Sequence, residues 1–203
     1  MVLEIVGFPV SNFVRSVRMV AEEKGVPYEL VPERPHSDTV KGLNPTGKIP
    51  ALRHEGLELC ESLAIARYIE EAFDGARMIP EDPKKAAQVN RWTAFVATEV
   101  DQLLMRNYVV EYAFHRDDDG NVIRTAIDKA IKRFPRMFRM LEAAVEPGFF
   151  GTSSFSMADC FILPILNSTN RWEEGEEAIA SSPKLAAYFT QMQERASFQS
   201  TAP

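Results

Sequence analysis

The chain has 203 residues, 45% of them hydrophobic and 26% charged, with a formal net charge of -6 and two cysteines. That length suffices for a sizeable core in one or two domains, and an acidic balance with no basic, aromatic-laced stripe points away from nucleic acid. No apolar run reaches the roughly 20 residues of a membrane span and the N-terminus shows no signal-peptide pattern, so no membrane partner and a cytoplasmic compartment are expected.

Val2 to Val6 alternates as a strand and runs into Gly7-Phe8-Pro9-Val10-Ser11-Asn12. A helix is predicted over Phe13 to Lys24, with Val14, Val17, Met19, Val20 and Ala21 interleaved with Arg15, Arg18, Glu22 and Glu23; Gly25 stops it. Val26 to Pro32 reads as a second strand, which makes a βαβ unit with parallel strands and a right-handed crossover. Asn44-Pro45-Thr46-Gly47-Lys48 has turn chemistry. Ile49 to Arg53 and Leu57 to Cys60 read as short strands joined at His54-Glu55-Gly56. Pro50 has no N–H to give, so it belongs at an edge, a bulge or a tight turn, and the Ile49-Pro50 bond is of the type for which the cis form is cheap. Glu61-Ser62 precedes a run with helical spacing, Leu63 to Ile69, and the Ser62 hydroxyl with the free N–H groups of that first turn would suit a carboxylate. Taken alone, the first stretch is also an ordinary loop and the second an ordinary cap.

Past Ile79-Pro80-Glu81-Asp82-Pro83 the periodicity becomes helical throughout. A helix is expected from Lys84 to about Ala113, then a solvated turn at Asp117-Asp118-Asp119-Gly120-Asn121, which lacks the remaining ligands of a calcium loop. A second helix, Val122 to Val145, should bend near Pro135 and end at the break Glu146 to Gly151. The basic and aromatic run Arg133 to Arg139 within it reads as a solvated helix face. Ser156 opens an almost wholly apolar helix, Met157 to about Asn170, and Ser156 with Asp159 forms a short-armed capping box, a folding device. A last helix runs from Pro183 or Lys184 to about Arg195, followed by a mobile tail from Ser197. Cys60 and Cys160 read as buried thiols, and His36, His54 and His115 share no ligand spacing, so no metal is expected.

A Ser at a helix start, E-E-K-G-V-P-Y-E, N-P-T-G-K-I-P-A-L, E-S-L-A-I-A-R-Y-I-E and F-S-M-A-D occur in an order that resembles the cytosolic glutathione S-transferases over nearly the whole chain. The resemblance implies a fold of class α/β plus all-α: a thioredoxin-like domain (βαβ-α-ββα) over residues 1–79, followed by an all-helical C-terminal domain over residues 84–203. It implies glutathione as co-substrate with no further cofactor, a small hydrophobic electrophile as second substrate, and a homodimer in which an acid such as Asp101 reaches the partner's glutathione. It assigns Ile49, Pro50, Glu61 and Ser62 to glutathione, Glu61 offsetting the ammonium of the γ-glutamyl part, with Lys41 and Lys48 either facing its glycine end or standing as plain surface lysines.

By the same resemblance Ser11, assisted or replaced by Asn12, stabilises the glutathione thiolate; the alternative is that Ser11 only caps its helix. Val10, Met105, Tyr108, Val109 and Tyr112 are candidates for the wall of the second-substrate pocket, with core packing as the other role open to them. Three functions follow: a transferase; an isomerase acting on a maleyl-type diacid; and a non-catalytic interaction protein. The Ser-Ser-Cys pattern of such isomerases is absent, since Asn12 and Phe13 follow Ser11, and the first helix has no cysteine of the kind a thiol reductase uses. The transferase is favoured.

Overall fold

Short β-branched and aliphatic runs bounded by glycine and proline form the first sheet. The computed structural model describes residues 2–145 and 147–203. It begins β1 (Leu3–Val6), α1 (Asn12–Lys24), β2 (Tyr28–Val31), α2 (Asp38–Leu43), β3 (Ala51–His54), β4 (Leu57–Cys60) and α3 (Ser62–Ala72), the expected βαβ-α-ββα order. Gly25 ends α1 at φ 69, a left-handed conformation that costs glycine little, and its N–H closes onto the Ala21 and Glu22 carbonyls. The sheet order is β2-β1-β3-β4, with β1 parallel to β2 and antiparallel to β3, and β3 antiparallel to β4.

Helices α1 and α3 pack on each other, and each buries apolar residues, among them Val17 and Val20 of α1 and Ile65 and Ile69 of α3. Their join holds a desolvated ion pair: Lys24 Nζ lies 3.1 Å from Glu70 Oε2, with both side chains almost wholly buried. Lys24 also donates to the Ala76 carbonyl at 3.2 Å. Glu70 accepts the Met78 and Ile79 N–H groups at 3.2 and 3.1 Å. Those extra donors satisfy the carboxylate's remaining lone pairs, which a buried pair needs if it is not to destabilise.

A second compact unit covers Ala87–Met192. Helix α4 (Pro83–Phe95), a π-wound segment (Val96–Val109) and α5 (Val110–Phe114) form one helical run. The wider winding shows in its partners: the Val110 N–H reaches the Met105 carbonyl, Arg106 Nε meets Asp101 Oδ2 at 2.9 Å, and Gln102 Nε2 meets Asn107 Oδ1 at 3.0 Å. All are five residues apart, a spacing that does not face in an α-helix. α6 (Thr125–Ile131) and α7 (Phe134–Ala144) replace the single bent helix expected there. Pro135 starts α7 instead of bending a longer helix, because in a first turn its missing N–H has no intrahelical acceptor to lose. Phe134, Met137 and Phe138 are buried while Arg133, Arg136 and Arg139 are exposed, the solvated face expected of this run. Of the break expected over residues 146–151, Glu146 lies outside the described residues.

α8 (Met157–Thr169) is buried along nearly its whole length. α9 (Glu173–Ala180), which the pattern left unassigned because glutamates dominate its first two turns, and α10 (Pro183–Gln193) complete this unit. The last residues, Gln193–Pro203, belong with the first unit. They are not a mobile tail: α11 (Ala196–Ser200) forms there, Phe198 is buried and Thr201 has no exposed surface. The two cysteines are free, Cys160 buried as expected and Cys60 only half-buried.

The capping box at the head of α8 is present and is larger than a cap. Asp159, with no exposed surface, accepts the Ser156 N–H and hydroxyl through Oδ2 at 2.8 and 3.1 Å, and the Phe150 N–H and Tyr188 hydroxyl through Oδ1 at 2.8 and 2.7 Å. Burial pushes its carboxyl up from the ordinary value against the pull of these donors. Asp159→Ala strands all four donors and should lower the unfolding free energy by about 3–5 kcal/mol; Ser156→Ala should cost about 0.5–2 kcal/mol. Urea midpoints measure both, and equal small losses would mean that the carboxylate does no more than cap α8.

Candidate functional site

One rung of the sheet gathers the motifs that the sequence spreads over residues 7–62. Val6 pairs with Val31 on one side and with Ala51 on the other, and Ala51 pairs with Cys60. Val6 and Cys60 end β1 and β4, and Ala51 begins the antiparallel β3. The loop that carries Ser11, the Ile49-Pro50 step and the Glu61-Ser62 step therefore leave the sheet at the same edge. In open α/β sheets ligands bind at such an edge, where strand connections diverge.

The approach to β3 is fixed by Asn44, which is 3% exposed. Its Oδ1 accepts the Thr46 N–H and hydroxyl at 3.0 and 2.9 Å, and its Nδ2 donates to the Lys48 carbonyl at 2.9 Å. Gly47, at φ 69, passes so close to His36 that a Cβ would meet Nδ1 at 2.2 Å. The Ile49-Pro50 bond is cis. Ile49 packs on the Val6, Val40 and Ala51 cluster, and neither its N–H nor its carbonyl finds a partner among the described residues. These free groups can pair with an extended peptide as a sheet edge does.

The two helix starts at this edge are built differently. At α1, Ser11 is the N-cap, and its hydroxyl accepts the Val14 N–H at a long 3.5 Å, a loose cap that leaves the hydroxyl available. Ser11 is half-buried, whereas Asn12 is 4% exposed. At α3, Glu61 stands at the N-cap position with φ 71 and ψ 113 and makes no side-chain cap. That is a costly conformation for a non-glycine residue, of the kind held at ligand sites. The Ser62, Leu63 and Ala64 N–H groups have no acceptor among the described residues, while the Ile65 N–H meets the Glu61 carbonyl at 2.9 Å. An uncapped helix start of this kind favours an anion. Lys41 and Lys48 are exposed and make no ion pair among the described residues.

Of the apolar candidates, Val10 is 54% exposed. Met105, Tyr108 and Tyr112 are buried and Val109 is half-buried. A carboxylate that the sequence pattern did not single out gathers the two tyrosines. Glu174 accepts the Tyr108 hydroxyl at 3.1 Å, the Tyr112 hydroxyl at 2.8 Å and Arg124 Nη2 at 2.6 Å, and Tyr112 stacks on Trp172 at 4.4 Å. Burial pushes the Tyr108 hydroxyl well up, and the Glu174 charge adds to it. Burial also pushes Glu174 up, but the bonds from Arg124 and the tyrosines outweigh it and hold the carboxyl below its ordinary range. Among the described residues no group of His, Cys, Asp and Glu could hold a metal ion, and no helix is long and apolar enough to cross a membrane.

Residues 5–77 match the family model described as "Glutathione S-transferase, N-terminal domain", and residues 124–191 match "Glutathione S-transferase, C-terminal domain". The chain belongs to the glutathione S-transferase superfamily. Among curated proteins, glutathione S-transferase U2 of Arabidopsis thaliana is 32% identical over 77% of this chain and 66% of its own length. Two further plant relatives are matched over 52% and 45% of theirs. The crystal structure of glutathione transferase F7 from Populus trichocarpa superposes with a TM-score of 0.89 at 25% identity, over 98% of this chain and 97% of that one. A glutathione S-transferase from Methylobacillus flagellatus KT, described with GSH bound, gives 0.84 at 27% identity over 99% of both chains.

The depressed Glu174 acid links the stability of this family member to pH. The carboxylate's contribution is complete above the ordinary value of 4.5 and is lost as pH falls through the lower folded-state value. Urea unfolding across that interval should weaken more steeply in the parent than in Glu174→Gln; superimposable profiles would show that the network contributes nothing linked to that proton.

Proposed function

We propose that this protein is a glutathione transferase: it binds glutathione, activates its thiol and passes the sulfur to a small hydrophobic electrophile. The observation that carries the reading is the meeting, at one sheet edge, of an unpaired backbone step at Ile49, an uncapped helix start at Ser62 and a loosely capped serine at the head of α1. Glutathione would lie extended along Ile49 with its γ-glutamyl carboxylate on the first-turn N–H groups of α3. Glu61 would offset the neighbouring ammonium, and Lys41 or Lys48 the glycine carboxylate.

The sulfur then falls at the start of α1. A free thiol has a pKa near about 8.5, and lowering it by two units takes about 2.7 kcal/mol. A donated Ser11 hydroxyl and the positive end of a 13-residue helix supply stabilisation of that order. The thiolate is the nucleophile, and Ser11 is its hydrogen-bond donor. The exposed, apolar Val10 beside Ser11 supports a hydrophobic second substrate. A homodimer and a cytoplasmic site of action belong to the same reading, supported by the family resemblance alone; sedimentation at twice the chain mass is the expected result for the former.

The joint substitution Glu61→Ala and Ser62→Ala should abolish retention on immobilised glutathione, and unchanged retention would remove the binding site proposed here. Ser11→Ala should keep glutathione affinity within a few-fold but cut turnover with an aryl halide at pH 7 by up to about 25-fold, the fall in thiolate fraction when a bound-thiol pKa rises from about 6.5 to about 8.5. Full turnover in that variant would move the donor's role to Asn12 or to the backbone.

A further inference from the structure

Arg15 and Arg18 lie on the face of α1 that begins with Ser11, four and seven residues on. Both are nearly buried, at 3% and 8% exposed. Arg15 donates to the Phe198 carbonyl at 2.7 Å and to Thr201 Oγ1 at 3.3 Å, and its guanidinium sits 4.2 Å over the Phe198 ring. Arg18 donates to the Thr201 and Ser200 carbonyls at 3.1 and 3.2 Å and to the Tyr28 hydroxyl at 3.0 Å. Every one of these acceptors is neutral. Among the described residues neither arginine has a carboxylate partner.

Most charged groups packed around α1 are engaged away from Arg15. Glu23 pairs with Arg195 at 2.6 Å, Lys24 with Glu70 at 3.1 Å, Glu4 with Arg53 at 3.5 Å and Arg67 with Glu71 at 2.6 Å. Glu22 accepts at 3.0 Å the same Tyr28 hydroxyl to which Arg18 donates, so it is linked to Arg18 through that hydroxyl and not to Arg15. α11 itself carries no charged side chain. Burial, with Arg18 beside it, lowers Arg15 to about 10, so it stays a cation at neutral pH. A buried cation without a counter-charge is expensive. Holding the end of α11 to α1 does not require one, since a neutral donor would satisfy the same carbonyls.

We infer that Arg15 is a positioning residue for the thiol chemistry: its uncompensated charge, one helical turn behind Ser11, lowers the pKa of glutathione's sulfur at the head of α1. The inference rests on the transferase reading above. The Arg15 N–H bonds the Ser11 carbonyl at 2.9 Å, which fixes the spacing, and side chains on a helix lean toward its N-terminus. A unit charge about 10 Å away at an effective dielectric of about 20 moves a pKa by roughly one unit. The field acts with the Ser11 hydroxyl and does not replace it.

Three variants of the full chain separate charge from clasp, each folded by circular dichroism and saturated with glutathione, with the bound-thiol pKa read from ultraviolet thiolate absorbance. Arg15→Lys keeps the charge, Arg15→Gln keeps a donor without it, and Thr201→Asp sets a carboxylate beside the unchanged arginine. The lysine variant should match the parent, and the other two should titrate about one unit higher with glutathione affinity at low pH unchanged. A parental thiol pKa in folded Arg15→Gln or Thr201→Asp overturns the inference and leaves the transferase reading standing. An equal rise in Arg15→Lys and Arg15→Gln also overturns it, because the guanidinium's hydrogen bonds and not its charge would then matter. If Arg15→Gln fails to fold, Thr201→Asp decides. A parent that binds no millimolar glutathione overturns the transferase reading and this inference together.

Discussion

Val31, Val6, Ala51 and Cys60 stand side by side across the four strands, and the candidate site depends on that alignment. Because β3 runs against β1, its first residue sits beside the last residue of β1, and β4 turns back to finish at the same level. A slip of one residue at the β1–β3 pairing would invert the faces of β3 and carry Ile49-Pro50 away from the head of α1. Asn44 holds the step from its other side by tying Lys48 and Thr46 into one turn, so the free backbone groups of Ile49 are presented by two independent anchors.

The electrostatics of the first unit divide along α1. At its C-terminal end Lys24 meets Glu70 in a pair closed by three further hydrogen bonds, and that charge is spent within the fold. Nearer its N-terminal end two arginines are buried against carbonyls and hydroxyls supplied by Tyr28 and the segment around α11; Arg15 has no carboxylate partner among the described residues, and Arg18 reaches Glu22 only through the Tyr28 hydroxyl. α3 contributes an uncapped start beneath a strained Glu61. The first unit thus keeps two buried guanidinium groups, an uncapped helix start and a strained Glu61, at a cost in stability that buried contacts elsewhere must offset.

In the helical unit two carboxylates serve opposite ends. Asp159 receives four donors and, among the described residues, no cation, and burial raises its pKa; it joins the turn before α8 to α10. Glu174 receives Arg124 as well as two tyrosine hydroxyls, and its pKa is lowered; it ties α9 to the end of the long helical run. Burial and the cation together make the difference: Asp159 has no exposed surface, whereas Glu174 keeps part of its side chain in solvent and bonds a guanidinium, a stronger donor than a neutral one.

Most of the local elements and their order were legible in the sequence, though not α9, α11 or the division of residues 122–145 into α6 and α7. Glycine and proline punctuation marked the strands, the apolar period marked α1, α3 and α8, and Ser156 with Asp159 marked a helix start, because each signal is carried by neighbouring residues. The sequence also held the motifs, Ser11, Ile49-Pro50 and Glu61-Ser62, whose order identified the family. The rest became visible only in the tertiary structure: the π winding of Val96–Val109; the break before α7; and the gathering of Tyr108, Tyr112 and Arg124 by a glutamate far along the chain. The folding of residues 193–203 onto Arg15 and Arg18 was equally invisible. An arginine on a helix reads as a solvated charge until a distant segment covers it, and burial is set by partners that lie nearly the whole chain away.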